Sequence, residues 1–244
     1  MIHIKRNKAD TKSKRECLKS WTKSMKGIPC FLIGNGPSLE DVPLHLVKDY
    51  FSIGVNRVYL RGKFDPTILF WQDVELWRTE KKFIRKMKAI KYARSVADPE
   101  NLAYHFKLRA GPFLVPSSAT ILYGLGASGP LSFELALCLG CNPIVLLGFD
   151  CKYKNGKTDF YGKNKDHKAH TLTRCRMGLK WTKVWQEKGR VSIINCSDND
   201  VYTDPVSLEK ALDIIKRSAK DNLCEPCGRD FYKERLFARA NSPR

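Results

Sequence analysis

The chain has 244 residues, 43% of them hydrophobic and 11% aromatic, enough to bury the core of one main α/β domain with little left for a second. Its formal charge of +19 exceeds what solubility needs and implies attraction to polyanions: nucleic acid, an anionic membrane surface or phosphorylated substrates. No stretch approaches the roughly 20 apolar residues of a membrane span, and the basic start 1–26 lacks the apolar run of a secretory leader, so a soluble, intracellular protein is expected, with peripheral membrane contact left open.

In chain order, a basic leader (1–27) with an amphipathic segment over 17–25 precedes an alternation of strands and helices. Apolar runs predict strands over 28–33, 50–55 and 67–70, and helices over 39–48 and 75–92, the latter strongly basic. Residues 110–123 read as irregular, with a strand over 113–115 between Pro112 and Pro116. A helix over 131–139, opened by Ser128-Gly129-Pro130 and ended by Gly140, leads into a buried strand over 144–147. The polar stretch 152–168 reads as a loop or lid. A helix over 171–187 follows, with Leu172, Cys175, Leu179, Val184 and either Met177 or Trp181 inward; then come a strand over 191–194, a helix over 206–220 and a basic tail. The expected fold is α/β: a Rossmann-like, mainly parallel sheet covered by helices, a GT-A-like variant with a single main domain. Its organisation is a leader (1–27), a catalytic domain (28–205) with a lid at about 151–170, and a C-terminal helix and tail (206–244).

Of the nine cysteines, Cys30, Cys138, Cys141, Cys151 and Cys196 lie in or beside apolar runs, as reduced core thiols do, and no disulfide framework is indicated. Cys138-Leu-Gly-Cys141 has redox or zinc-like spacing but ends an apolar helix, which favours a packing role. Cys224-Glu-Pro-Cys227 is a better zinc half-site, with only Cys17 and Cys175 as spare thiols.

The first strand runs into Gly34-Asn35-Gly36-Pro37-Ser38. Glycine allows φ > 0 and close approach to a ligand, Asn and Ser supply hydrogen-bonding groups, and a following helix start offers N–H groups to an anion. Leu39 stands where a dinucleotide fingerprint has its third glycine, and no Gly-Lys-Ser/Thr follows, so neither the NAD nor the P-loop pattern is met. In an open parallel sheet, ligands bind beyond the carboxyl ends of the strands. Gly34-Asn35-Gly36 with Ser38, Asn56-Arg57, Gln72-Asp73, Ser128-Gly129, Gly148-Phe149-Asp150 and Asn195-Cys196-Ser197 all fall at that edge, which predicts a ligand site.

In their order, Gly34-Asn35-Gly36-Pro37-Ser38, Asn56, Ser128-Gly129, Gly148-Phe149-Asp150 with Tyr153, and Asn195-Cys196-Ser197 resemble the bacterial CMP-sialic acid-dependent sialyltransferases. The same order resembles the motility-associated-factor glycosyltransferases and related phage-encoded proteins. The similarity spans about residues 28–197. It implies a glycosyltransferase in which the Gly-Asn-Gly loop, Asn56 and the Ser128-Gly129 helix start hold a CMP- or UDP-linked sugar, with Asp150 on a nucleotide hydroxyl or the sugar. It further implies that Tyr153 and Tyr161 donate to the leaving phosphate in place of a metal, and that His167 or His170 acts as base. For a phage-encoded chain the implied location is the host cytoplasm.

The chemistry supports these roles independently, since glycosyl transfer needs a base for the acceptor hydroxyl and donors for the departing phosphate. A metal-dependent alternative would use Asp198-Asn199-Asp200, a D-x-D of the kind that holds Mg²⁺ or Mn²⁺ against a diphosphate, although its turn composition favours a loop. Lys81, Lys82, Arg85, Lys86, Lys88 and Lys91, with Lys152, Lys154, Lys157, Lys163, Lys165 and Lys168, flank the site. With Trp71, Trp77, Tyr153 and Tyr161 for stacking, they suit double-stranded DNA carrying a hydroxylated base as acceptor, against a glycan or lipid head group. A pterin-type pyrophosphokinase using Asp73, Glu75 or Asp150 with Mg²⁺, and a non-catalytic nucleic-acid-binding module, are the other readings.

Overall fold

The computed structural model describes residues 8–112, 118–162, 169–202, 204–218 and 227–238. Eight strands, β1 (Cys30–Ile33), β2 (Ser52–Val55), β3 (Ile68–Trp71), β4 (Ile90–Arg94), β5 (Tyr104–Arg109), β6 (Ile121–Tyr123), β7 (Ile144–Leu147) and β8 (Ile193–Asn195), form one sheet. Their order is β6-β5-β4-β3-β2-β1-β7-β8, and every neighbouring pair is parallel. The helices are α1 (Lys8–Ser20), α2 (Val74–Lys86), α3 (Ser128–Leu139), α4 (Ala169–Glu187), α5 (Leu208–Ser218) and α6 (Gly228–Ala238).

The central strands are apolar throughout because both faces of the sheet are covered. Along β1, Cys30 and Leu32 join one core with α1, α3, α4 and α6, while Phe31 and Ile33 join the other with α2 and α5. α3 is buried nearly all round and stops at Gly140, whose φ of +81° supplies the left-handed cap that glycine accepts without strain. This is the Rossmann-like α/β sheet that the strand and helix alternation predicts.

The elements depart from expectation in three places. The helix expected over 39–48 is two 3₁₀ turns, Pro37–Asp41 and Leu44–Val47, because Pro43 lacks an N–H and forces Val42 into an extended conformation. The helix expected over 75–92 ends at Lys86, and β4 follows. There the Asp65 carboxylate accepts the Lys88 and Ala89 N–H groups at 3.0 and 3.1 Å, and pairing with β3 takes over the backbone. β5 and β6 were not foreseen, and the strand expected over 113–115 lies outside the described residues.

The chain before β1 is part of the core: Leu18, Trp21 and Met25 are buried, and Trp21 packs on Tyr92 and Tyr104 at ring distances of 6.0 and 5.1 Å. From the C-terminal segment, Tyr232 and Leu236 join the same cluster, and Arg235 Nε donates to the Ser24 carbonyl at 2.8 Å. In α4, Leu179 is buried and Trp181 partly so, but Val184 and Met177 are exposed, against the inward placement expected of Val184. Cys30, Cys138 and Cys141 are buried free thiols. Cys151, expected to be reduced, instead forms a disulfide with Cys175, Cα–Cα 5.7 Å. Cys224 lies outside the described residues, and Cys227 is exposed. No helix among the described residues is long and apolar enough to cross a membrane.

Candidate nucleotide-binding cavity

A cavity of about 680 Å³ opens beyond the C-terminal ends of β1, β2, β3 and β7. The strand order reverses between β1 and β7, so the loops there diverge and leave a crevice. Of the predicted residues, Gly34, Asn35, Gly36, Asn56, Arg57, Gln72, Asp73, Ser128, Gly129 and His170 line it.

The glycines of the first loop serve a purpose other than the one expected. Gly36 has φ −59°, an ordinary value, and a Cβ there would lie 2.7 Å from the Asp150 carboxylate and 2.8 Å from the Gly148 carbonyl oxygen. A Cβ at Gly34 would collide with the same carbonyl. Both positions are therefore glycine because the loop lies directly on the turn after β7, with the Gly36 N–H donating to Gly148 O at 2.8 Å. The Ser38 N–H, expected to await a ligand anion, donates to Asp150 Oδ2 at 2.7 Å, and the Ser38 hydroxyl donates to Oδ1. Asp150 also accepts the Asp198 N–H at 3.2 Å. Burial pushes its pKa up, and these three hydrogen bonds oppose that shift. Asp150 and Ser38 thus form a staple beneath the cavity and do not line it, which corrects the ligand-contact role expected of both.

Four polar atoms on the wall have no hydrogen-bond partner among the described residues: Asn35 Oδ1, Asn56 Oδ1, Gln72 Oε1 and Ser128 Oγ. An unpaired buried polar atom costs on the order of 1–3 kcal/mol, so four on one cavity point to ligand groups that would complete them. Three are amide oxygens, and hydrogen bonds set the orientation of two of them. Asn35 Nδ2 donates to the Val55 carbonyl at 2.9 Å, and Gln72 Nε2 donates to the Gly126 carbonyl, leaving the oxygens as acceptors. Asn56 takes the left-handed backbone conformation, φ +51°, which Asn tolerates better than most residues. Ser128 is the first residue of α3 and Gly129 the second, so the helix start faces the cavity with its positive dipole end.

The first two turns of α4 also line the cavity, through His170, Thr171 and Arg174. On the cavity wall, the Arg57 guanidinium lies 6.0 Å from the centre of the ring of Tyr161, which does not itself line the cavity, and its Nε donates to Glu80 Oε1 at 3.1 Å. Burial alone would lower the Arg57 pKa, but interaction with Tyr161 and Glu80 outweighs it and raises it. Within the lid, the Phe160 N–H donates to the Asn35 carbonyl at 2.8 Å, bringing Thr158 and Asp159 onto the cavity.

Other predicted residues lie elsewhere. Tyr153 is 55% exposed and does not line the cavity, because the Lys154–Lys157 turn carries it away. Asn195 and Ser197 are spent on the turn after β8: Asn195 Nδ2 donates to the Ser197 and Tyr202 carbonyls at 2.9 and 3.1 Å, and the Ser197 hydroxyl donates to Leu146 O at 3.0 Å. His167 lies outside the described residues. The D-x-D carboxylates point to cations, Asp198 to Lys152 (2.7 Å) and Lys154 (3.4 Å), Asp200 to Arg176. Trp71 and Trp77 are buried and stacked on each other at 6.2 Å, so neither can receive a base. Sequence reasoning missed Thr158, Asp159 and the disulfide, but the four-residue spacing of His170 and Arg174 was a usable sign that both share one helix face.

No family model and no curated protein matches the chain. Three solved structures of the sialyltransferase CstII from Campylobacter jejuni are similar to it. The one with cytidine-5'-monophosphate has 15% identity and TM-score 0.47, over 76% of this chain and 84% of that one. The one with CMP-3FNeuAc has 12% identity and TM-score 0.44, over 69% and 80%. The one with trisaccharide acceptor and CMP has 14% identity and TM-score 0.41, over 68% and 80%.

Proposed function

We propose that the protein is a glycosyltransferase that moves a sugar from a CMP- or UDP-linked donor to an acceptor hydroxyl. The observation that carries this reading is the set of four unpartnered polar atoms, Asn35 Oδ1, Asn56 Oδ1, Gln72 Oε1 and Ser128 Oγ, on one cavity beside the start of α3. Amide oxygens accept from hydroxyl and amino groups, which a nucleoside provides, while the Ser128 hydroxyl and the α3 N-terminus favour a phosphate. In the step, the acceptor oxygen bonds to the anomeric carbon as the bond from that carbon to the donor phosphate oxygen breaks. His170 takes the acceptor proton, and Tyr161 with Arg57 meets the charge left on the nucleotide.

A divalent ion would have to be held by carboxylates. Asp198 and Asp200 are neutralised by lysine and arginine, and among the described residues no three His, Cys, Asp or Glu side chains form a cation site. The proposed step does not use a metal. The acceptor is a glycan or lipid head group. An extruded DNA base would need an aromatic slot, and Trp71 and Trp77 do not supply it.

Nucleotide release from CMP- and UDP-sugars, measured with and without chelator, tests this reading. Turnover is expected to survive chelation and the Asp198→Ala/Asp200→Ala double substitution, and to fall about 10²- to 10⁴-fold in His170→Ala. Loss of turnover on chelation and in the double variant would replace the metal-free scheme with the metal-dependent one.

A further inference from the structure

We propose that the outward face of α2, together with the Tyr59–Leu60 turn, docks on an anionic lipid surface. Several surface carboxylates are matched by local cations: Glu40 by Lys157, Glu75 by Arg78, Glu100 by Arg85, and Asp198 by Lys152 and Lys154. Lys81, Lys82 and Lys86 on α2 have no acidic partner among the described residues, and they stand exposed.

Phe83 lies next to Lys82 in α2 and one turn before Lys86, and is 56% exposed, an unusual position for an aromatic on a basic helix. Its ring stacks on Tyr59 at 6.1 Å and 14°, which holds it at the surface. Leu60, next to Tyr59, is 47% exposed, and Lys63 lies just beyond it. Unpaired lysines beside exposed apolar side chains suit a bilayer boundary: ammonium groups meet anionic head groups, while Phe83 and Leu60 enter the apolar layer. A duplex phosphate backbone would engage the lysines but offers nothing to Phe83 and Leu60.

The location gives the contact a consequence. Val74, Glu75 and Leu76, the first turn of α2, line the cavity, so the docking face runs from the cavity wall along the helix. A bilayer held there would bring head groups to the cavity mouth.

Sedimentation of the full chain with phosphatidylcholine vesicles, and with vesicles that also contain phosphatidylserine, tests this surface at low and high salt. Binding is expected only with phosphatidylserine and is expected to weaken with salt. Lys82→Glu/Lys86→Glu should weaken it by about tenfold or more. Phe83→Ala should weaken it severalfold while melting as the parent does, since the side chain is largely exposed. Absence of vesicle binding at low salt would overturn the proposal, as would vesicle binding that neither variant changes. Duplex DNA binding that depends on Lys82 and Lys86, is indifferent to Phe83 and displaces the vesicles would also overturn it, making the face a nucleic-acid surface.

Discussion

Glu134→Gln will stabilise the protein at alkaline pH and leave it nearly unchanged in mild acid. Glu134 is buried in α3, its Oε2 accepting the Tyr123 N–H at 2.6 Å. Burial raises its pKa from 4.5 to about 8, against the lowering effect of that hydrogen bond. Between those values the folded chain keeps a proton that the unfolded chain has released, so stability falls as pH rises through the interval. At about 1.4 kcal/mol for each unit, the full cost is about 5 kcal/mol, large beside a typical domain stability. Glutamine keeps an acceptor for Tyr123 and carries no proton to lose. Chemical denaturation at pH 5 and pH 9 should show the variant gaining on the parent by on the order of 4 kcal/mol between the two. A difference independent of pH would mean that Glu134 titrates as an exposed carboxylate does.

Gly36→Ala will unfold or severely loosen the first loop even without a ligand. Its Cβ would meet the Asp150 carboxylate and the Gly148 carbonyl, and neither can retreat easily. Asp150 is pinned by Ser38 and Asp198, and Gly148 O accepts the Gly36 N–H. Overpacking of this kind costs about 1–3 kcal/mol, and displacing the Asp150 staple adds to it, so a loss of about 3 kcal/mol or more is expected in the free protein. If the glycine served only the approach of a ligand, the free protein would melt normally and binding alone would suffer. Thermal melting without nucleotide separates the two.

The elements that sequence reading located well are those whose cause is local. β7 is a short apolar run, and α3 carries its own start and stop in Ser128-Gly129-Pro130 and Gly140. The elements it missed depend on distant partners. Nothing in Met87-Lys88-Ala89 breaks a helix; Asp65 and the edge of β3 do so from across the fold. The candidate site divides in the same way. Polar residues at strand ends mark the cavity edge, but the sequence does not separate those that face the cavity, such as Asn56 and Gln72, from those that tie turns together, such as Asp150, Asn195 and Ser197. That distinction depends on where the neighbouring turns approach, as Gly148 approaches Gly36.

The most direct test of the proposed nucleotide cavity is calorimetric titration of CMP, UDP, GDP and ATP into the parent and into Asn56→Ala/Ser128→Ala, with and without Mg²⁺. The geometry predicts that CMP or UDP binds the parent without Mg²⁺ and that the double variant, lacking an acceptor and a donor on the cavity wall, binds at least about tenfold more weakly. Binding of ATP alone, only with Mg²⁺ and unaffected by the two substitutions, would contradict it.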